Sequence, residues 1–126
     1  KVTWEWVVTQ NPEVIIKRQT QSSDQTQIGW QSEPSTDTVK LQSVRNELLS
    51  RSGASSISAV KSGRVYVMDW DVLNGLDQVV GITYLAKLLH PDADLDPEAV
   101  HREYVEKLGL QYPDNRTFVY PELSSL

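Results

Sequence analysis

Ile57-Ser58-Ala59-Val60-Lys61-Ser62-Gly63-Arg64-Val65-Tyr66-Val67-Met68-Asp69, followed by Gly81-Ile82-Thr83-Tyr84-Leu85-Ala86-Lys87-Leu88-Leu89-His90-Pro91, decides the fold. Ile57, Ala59 and Val60 form a short apolar hook. Ser62-Gly63 is a turn, and Val65-Tyr66-Val67-Met68 is a β-branched and apolar run suited to a buried strand. Asp69 to Gly75 reads as a loop. Leu76 to Leu89 reads as a helix that is apolar on most sides, so it is expected to lie buried against a sheet. Gly81 inside it costs about 1 kcal/mol of helix propensity and is expected to allow a close approach of helix and sheet.

Upstream, Thr3 is placed to cap a short helix with Glu5 in its first turn and with Trp4, Val7 and Val8 on one side. Asn11-Pro12 stops it, and Val14-Ile15-Ile16 is a second strand signal. Gln19 to Pro34 is a long polar loop, with Ile28 and Trp30 as its large apolar groups. Loops of that length are functional or poorly ordered. Ser35 or Thr36, followed by Asp37, starts the next helix, whose buried stripe is Leu41, Val44 and Leu48 and which Gly53 ends.

Downstream, Asp96-Pro97-Glu98 has an N-cap, a proline at the first helical position and an early acid. Val100, Tyr104 and Leu108 are expected to line the buried face, and Glu98–Arg102 and Glu103–Lys107 to pair on the wet one. The tail, 111–126, carries one strand-like run, Thr117-Phe118-Val119-Tyr120. Two buried strands joined through a helix imply a parallel pair with a right-handed crossover. The expected class is therefore α/β: a small parallel sheet between helices in a three-layer α/β/α arrangement, as a single domain over 1–126.

Composition fits a folded domain. The chain has 126 residues, 39% hydrophobic and 23% charged, enough for one core. With no cysteine, disulfides, thiolate metal sites and thiol nucleophiles are excluded. Net charge is −5, from 12 basic and 17 acidic side chains. No basic patch is present to displace the counterions of a nucleic acid, so no nucleic-acid partner is expected. No apolar run reaches the length of about 18 residues that spans a bilayer. The chain opens with Lys1-Val2-Thr3 rather than Met, as a processed product or a piece of a longer chain would.

Catalytic and metal motifs are sparse. There is no Gly-x-Ser-x-Gly elbow, no His-Glu-x-x-His and no phosphate-binding loop. His90 reads as a helix C-terminal residue favoured by the dipole, and His101 as a surface residue. Asp92, Asp94, Asp96 and Glu103 mimic a calcium-loop spacing, but Pro97 stands where the sharp turn needs Gly. No metal or cofactor is expected. Asn115-Arg116-Thr117 matches the glycosylation sequon.

Trp30 and Trp70 lie in the loops expected to leave the C-terminal ends of the two strands, where ligands of open α/β sheets bind. Each either offers a flat face to a ligand or covers the end of the core. Asp69, Asp71 and Asn74 flank Trp70, and one of them is expected to cap the following helix. The free backbone N–H groups of that helix would favour an anionic ligand, and the acidic neighbours oppose it.

The quoted stretches, with Thr3-Trp4-Glu5-Trp6-Val7, Asn11-Pro12-Glu13-Val14-Ile15-Ile16, Val44-Arg45-Asn46-Glu47-Leu48 and Asp96 through Leu108, follow one template in order. The sequence resembles the C-terminal lobe of the substrate-binding proteins that serve ABC importers of ferric siderophores, haem and cobalamin. The resemblance covers roughly Val2 to Leu110. It implies an extracytoplasmic binding protein rather than an enzyme, with a metal-chelate or corrinoid ligand in a cleft between two lobes. ABC permease subunits would be the partners.

By this resemblance, Trp30 and the loop from Asp69 through Trp70 and Asp71 to Asn74 would face the cleft. Glu5 would dock on the permease, although a helix-dipole acid explains the same position. By the same resemblance, the N-terminal lobe, the connecting helix and the opening strand and helix of this lobe are expected to lie outside this stretch of sequence. The expectation is an exposed sheet edge, compensated by self-association or by recruitment of the tail strand near Val119. The rival reading is an enzyme, a small α/β hydrolase or a phosphate-handling domain using Asp69 or Asp71. An intracellular interaction module is a third.

Overall fold

A computed structural model describes residues 1–20, 28–30 and 38–123. The middle of the polar loop and the helix start at Ser35-Thr36-Asp37 lie outside them. The order is α1 (Trp4–Gln10), β1 (Ile15–Gln19), α2 (Val39–Leu49), a 3-10 turn (Ala54–Ser56), α3 (Ser58–Lys61) and β2 (Val65–Asp69). Two 3-10 turns follow, Asp71–Leu73 and Gly75–Asp77, then α4 (Gln78–Leu89), α5 (Pro97–Lys107) and β3 (Val119–Tyr120).

Every residue of β2 is buried. Its alternating side chains feed two cores. Val65 packs with Leu48, Ile57 and Ala59 and with half-buried Trp4, Val7 and Val8; Val67 packs with Ile28 and Leu41. Tyr66 and Met68 point the other way, into a core of Val80, Tyr84, Leu88, Val105, Tyr112 and Phe118. The strand is thus covered on both faces, which is why it lacks the polar alternation of a half-exposed strand.

β1 and β2 are parallel, in the register Ile15 to Val65 through Gln19 to Asp69. The sheet is nonetheless mixed. β3 from the tail pairs antiparallel to the other edge of β2, Met68 against Val119 and Val67 against Tyr120. A buried strand leaves no water for its backbone groups, so both edges need partners, and the tail supplies the second.

The ends of the short helices form as their sequences suggest. The Thr3 side chain accepts from the Trp6 amide, and Asp96 accepts from the Ala99 amide at 3.1 Å with Pro97 opening α5. Trp4 donates its indole N–H to the Ser52 carbonyl at 2.8 Å and lies under the Arg51 guanidinium, so it belongs to the framework. The wet-face pairs Glu98–Arg102 and Glu103–Lys107 are present.

Three expectations fail for identifiable reasons. α4 is not apolar-buried all round. Its inner face is Val80, Gly81, Tyr84 and Leu88, whereas Val79, Ile82 and Leu89 are exposed. Leu76 stands outside the helix and is 93% exposed. Hydrophobicity alone does not say which side of an apolar helix meets the sheet. On α5 the buried row is Pro97, His101 and Val105, one position off the expected one, and Leu108 is exposed. Aromatic rings from α4 and the tail accept the flat imidazole there.

Gly81 does permit a close approach, but to the turn after β2 rather than to the sheet. A Cβ at this position would lie 2.4 Å from the Val72 carbonyl oxygen and 2.6 Å from a Leu73 methyl. Gly81→Ala gains about 1 kcal/mol of helix propensity and incurs overpacking against backbone of about 1–3 kcal/mol. The clash is expected to win. Urea denaturation should show a lower midpoint with an unchanged slope, and a raised midpoint would mean that the Val72–Leu73 turn yields freely.

Candidate functional site

The parallel pair directs its C-terminal ends to one edge, at Gln19 and Asp69. The chain leaving β2 is bound there at once: the Trp70 amide donates to the Gln19 carbonyl at 2.8 Å. The antiparallel tail brings its approach to the same edge, where the Asp69 amide donates to the Phe118 carbonyl at 2.8 Å. The remote loop arrives through Gly29, whose amide donates to the Thr117 carbonyl at 2.7 Å. Trp30 and Trp70 are thereby carried to one side of the lobe by different segments.

Their exposures differ from that of the acid between them. Trp30 is 38% exposed and Trp70 is half-buried. Asn74 is exposed, and its side-chain amide donates to the Trp70 carbonyl at 3.3 Å. Asp71 is half-buried in the turn. Asp69 is wholly buried, and its Oδ1 accepts from the Asp71 amide at 3.1 Å. It shapes the turn that presents Trp70 and Asp71. None of the three polar residues caps α4. Asp77 occupies the cap position without a side-chain hydrogen bond, because two 3-10 turns separate the loop from the helix.

Glu5 lies apart from this edge, fully exposed in the first turn of α1. Backbone hydrogen bonding, with a further contribution from the Thr3 side chain, lowers its pKa from the usual carboxylate value. It therefore carries its charge at neutral pH, as a docking acid and a helix-dipole acid both require. His90 is the exposed C-cap residue of α4.

A concavity lies beside the predicted loops rather than under them. A cleft of about 680 Å³ opens between α4, the start of α5 and the tail, lined in part by Lys87, Pro97, Arg102, Tyr112 and Arg116. None of Trp30, Asp69, Trp70, Asp71 and Asn74 lines it. Arg116 connects the two regions, because its Nε donates to the Trp30 carbonyl at 3.1 Å. Among the described residues no cluster of His, Asp and Glu is arranged to hold a metal ion.

His101 corrects the surface assignment most sharply. It is 3% exposed, with the ring of Phe118 at 4.5 Å, Tyr112 at 5.2 Å and Tyr84 at 5.8 Å, all edge-to-face. The Tyr84 hydroxyl and the His101 Nδ1 share a hydrogen bond of 3.1 Å. Burial pushes the imidazole down from 6.5 to about 4. It also pushes the Tyr112 hydroxyl up and the Tyr84 hydroxyl far up. Its charged neighbours on α5 gave His101 the look of a surface residue. The tail aromatics that enclose it are distant in sequence.

The solved structure of a TroA-like periplasmic binding protein FepB from Veillonella parvula matches 94% of this chain at a TM-score of 0.72 and 23% identity. The fold is that of one lobe of such a binding protein. The match takes in 34% of that protein, so the chain spans about a third of its length. No protein-family model matches the sequence, and no curated protein does. The expected α/β lobe stands, with its sheet mixed. No helix among the described residues is long and apolar enough to cross a membrane.

The His101 cluster makes acid sensitivity predictable. The unfolded chain takes up the imidazole proton near pH 6.5 and the folded chain only near pH 4. Stability is therefore full above about pH 6.5 and is lost as pH falls toward 4. Urea midpoints should decline between pH 7 and pH 5 by an amount equivalent to about 1–2 kcal/mol. His101→Phe should flatten that decline, and an equally steep decline in the variant would assign it to other groups.

Proposed function

We propose that this chain acts as a ligand-binding lobe of an ABC importer's substrate-binding protein, and that it works outside the cytoplasm. What supports the reading is the fold match over 94% of the chain, together with two partly exposed tryptophans carried to the C-terminal edge of a parallel pair. The protein carries out no covalent step. It captures a metal-chelate or corrinoid ligand, of the iron-siderophore, haem or cobalamin kind, and delivers it to the permease.

In this proposal Trp30 and Trp70 stack on the apolar parts of the ligand, while Asp71 and Asn74 offer polar contacts from the same turn. Asp69 acts from below by holding that turn. A second lobe closes the other side of the ligand, so one lobe alone buries too little ligand surface to bind tightly. Glu5 serves the permease contact, where an exposed acid steers association and contributes little to the final affinity.

Titration of haemin, ferrichrome and cyanocobalamin into the chain, followed by tryptophan emission, tests the reading. One of the three should quench with weak, saturable affinity. Trp70→Ala and Trp30→Ala should each weaken that affinity by roughly 5- to 30-fold, as expected for loss of an aromatic contact worth about 1–2 kcal/mol. No response to any of the three, together with hydrolysis of a generic ester or phosphate monoester, would favour the rival enzyme using Asp69 or Asp71. Glu5→Gln should leave ligand quenching intact and reduce stimulation of the transporter ATPase by the full-length protein. Unchanged stimulation would remove Glu5 from the docking surface.

A further inference from the structure

Three consecutive residues of the tail reach both segments of the candidate binding edge. The Arg116 Nε donates to the Trp30 carbonyl at 3.1 Å. The Thr117 carbonyl accepts from the Gly29 amide at 2.7 Å, and the Phe118 carbonyl accepts from the Asp69 amide at 2.8 Å. The next residue, Val119, is already paired with Met68. The tail therefore runs as a bridge from the Ile28–Trp30 segment to the exit of β2.

The bridge is fixed from beneath. The Phe118 side chain is buried and meets the His101 ring on α5 at 4.5 Å. Tyr112, which begins this part of the tail, packs on the same ring at 5.2 Å and lies under the Arg102 guanidinium at 4.3 Å. On the far side Ile28 is 1% exposed and packs with Leu41 and Val67. A buried anchor followed by two tail hydrogen bonds sets where Trp30 stands. The Asp69 end of the bridge continues into the turn that presents Trp70, through the Asp71 amide bonded to the Asp69 carboxylate.

We infer that Arg116, Thr117 and Phe118 form a strap that fixes the Trp30 segment relative to the Trp70 turn, with Arg116 a positioning residue for ligand capture. This rests on the proposed function for its purpose, though not for its mechanics. Holding both aromatic walls in place before the ligand arrives removes an ordering cost from binding. Arg116 suits the task because its planar guanidinium donates in a fixed direction. The strap also gives the tail a role that its sequence, a sequon and a strand-like run, does not disclose.

Amide hydrogen exchange on the full chain, with Arg116→Leu and Arg116→Lys beside wild type, tests the inference. Arg116→Leu should speed exchange at Gly29 about 3- to 10-fold and at Asp71 by a smaller factor, with α4 and α5 amides and the melting temperature unchanged. Arg116→Lys, which can still donate to the Trp30 carbonyl, should return both rates most of the way to wild type. Wild-type exchange at Gly29 in Arg116→Leu would overturn the strap. A rise confined to Gly29 would overturn its role in joining the two segments. A uniform rise across the chain would reduce Arg116 to general stability and overturn the inference likewise.

The same variants separate the strap from the function it serves. If haemin, ferrichrome and cyanocobalamin leave wild-type emission unchanged while exchange responds as stated, the mechanics stand and the capture reading fails. If one of them binds wild type, Arg116→Leu should weaken it several-fold with both tryptophans still present. Undiminished affinity despite faster exchange at Gly29 would overturn the positioning role.

Discussion

A strand buried on both faces must have its backbone hydrogen bonds met along both edges, and in this lobe β2 is that strand. One edge is met by β1, its parallel partner. The other is met by a two-residue strand from the distant tail. From this single requirement much of the layout follows. The tail is drawn across the molecule, its aromatic residues close over α4 and α5, and its approach to β2 passes the edge where the loops leave the parallel pair.

The two cores on either side of β2 have different characters. The one shared with α1, α2 and α3 is mainly aliphatic, with Trp4 and Tyr120 at its margins. The one shared with α4, α5 and the tail is rich in rings and contains a neutral histidine bonded to a tyrosine. Burying His101 is tolerable because its Nδ1 is satisfied and its faces and edges meet aromatic surfaces. The ring-rich core lies directly below the strap, so that proton uptake, core packing and the placement of Trp30 meet in one region.

Much of the lobe was legible in the sequence because its signals are local. Val65 to Met68 has the composition of a doubly covered strand, Asp96-Pro97-Glu98 that of a helix start, and Thr3 that of a cap. The parallel pairing follows from the crossover. Illegible features depend on partners far away in the chain. His101 and the inner row of α5 are chosen by Tyr84, Tyr112 and Phe118. Leu76 looks like part of a buried helix, yet two 3-10 turns delay α4 until Gln78. At the candidate edge, the loops that carry the two tryptophans could be placed from local signals, whereas the Arg116 bond to the Trp30 carbonyl could not, since it joins residues 86 positions apart.

Trp30 and Trp70 stand near the edge where the parallel strands end, and the cleft bordered by Arg102 and Tyr112 is a separate concavity joined to it through Arg116. Nitrogen–proton correlation spectra of the chain, recorded with and without haemin, ferrichrome or cyanocobalamin, distinguish them and suit weak binding. The account predicts that one of these ligands shifts the Trp30 and Trp70 indole signals and the amides of 70–74, while the Trp4 indole, bonded to Ser52, stays put. Shifts confined to Lys87, Arg102 and Tyr112, or no shift with any of the three, would contradict it.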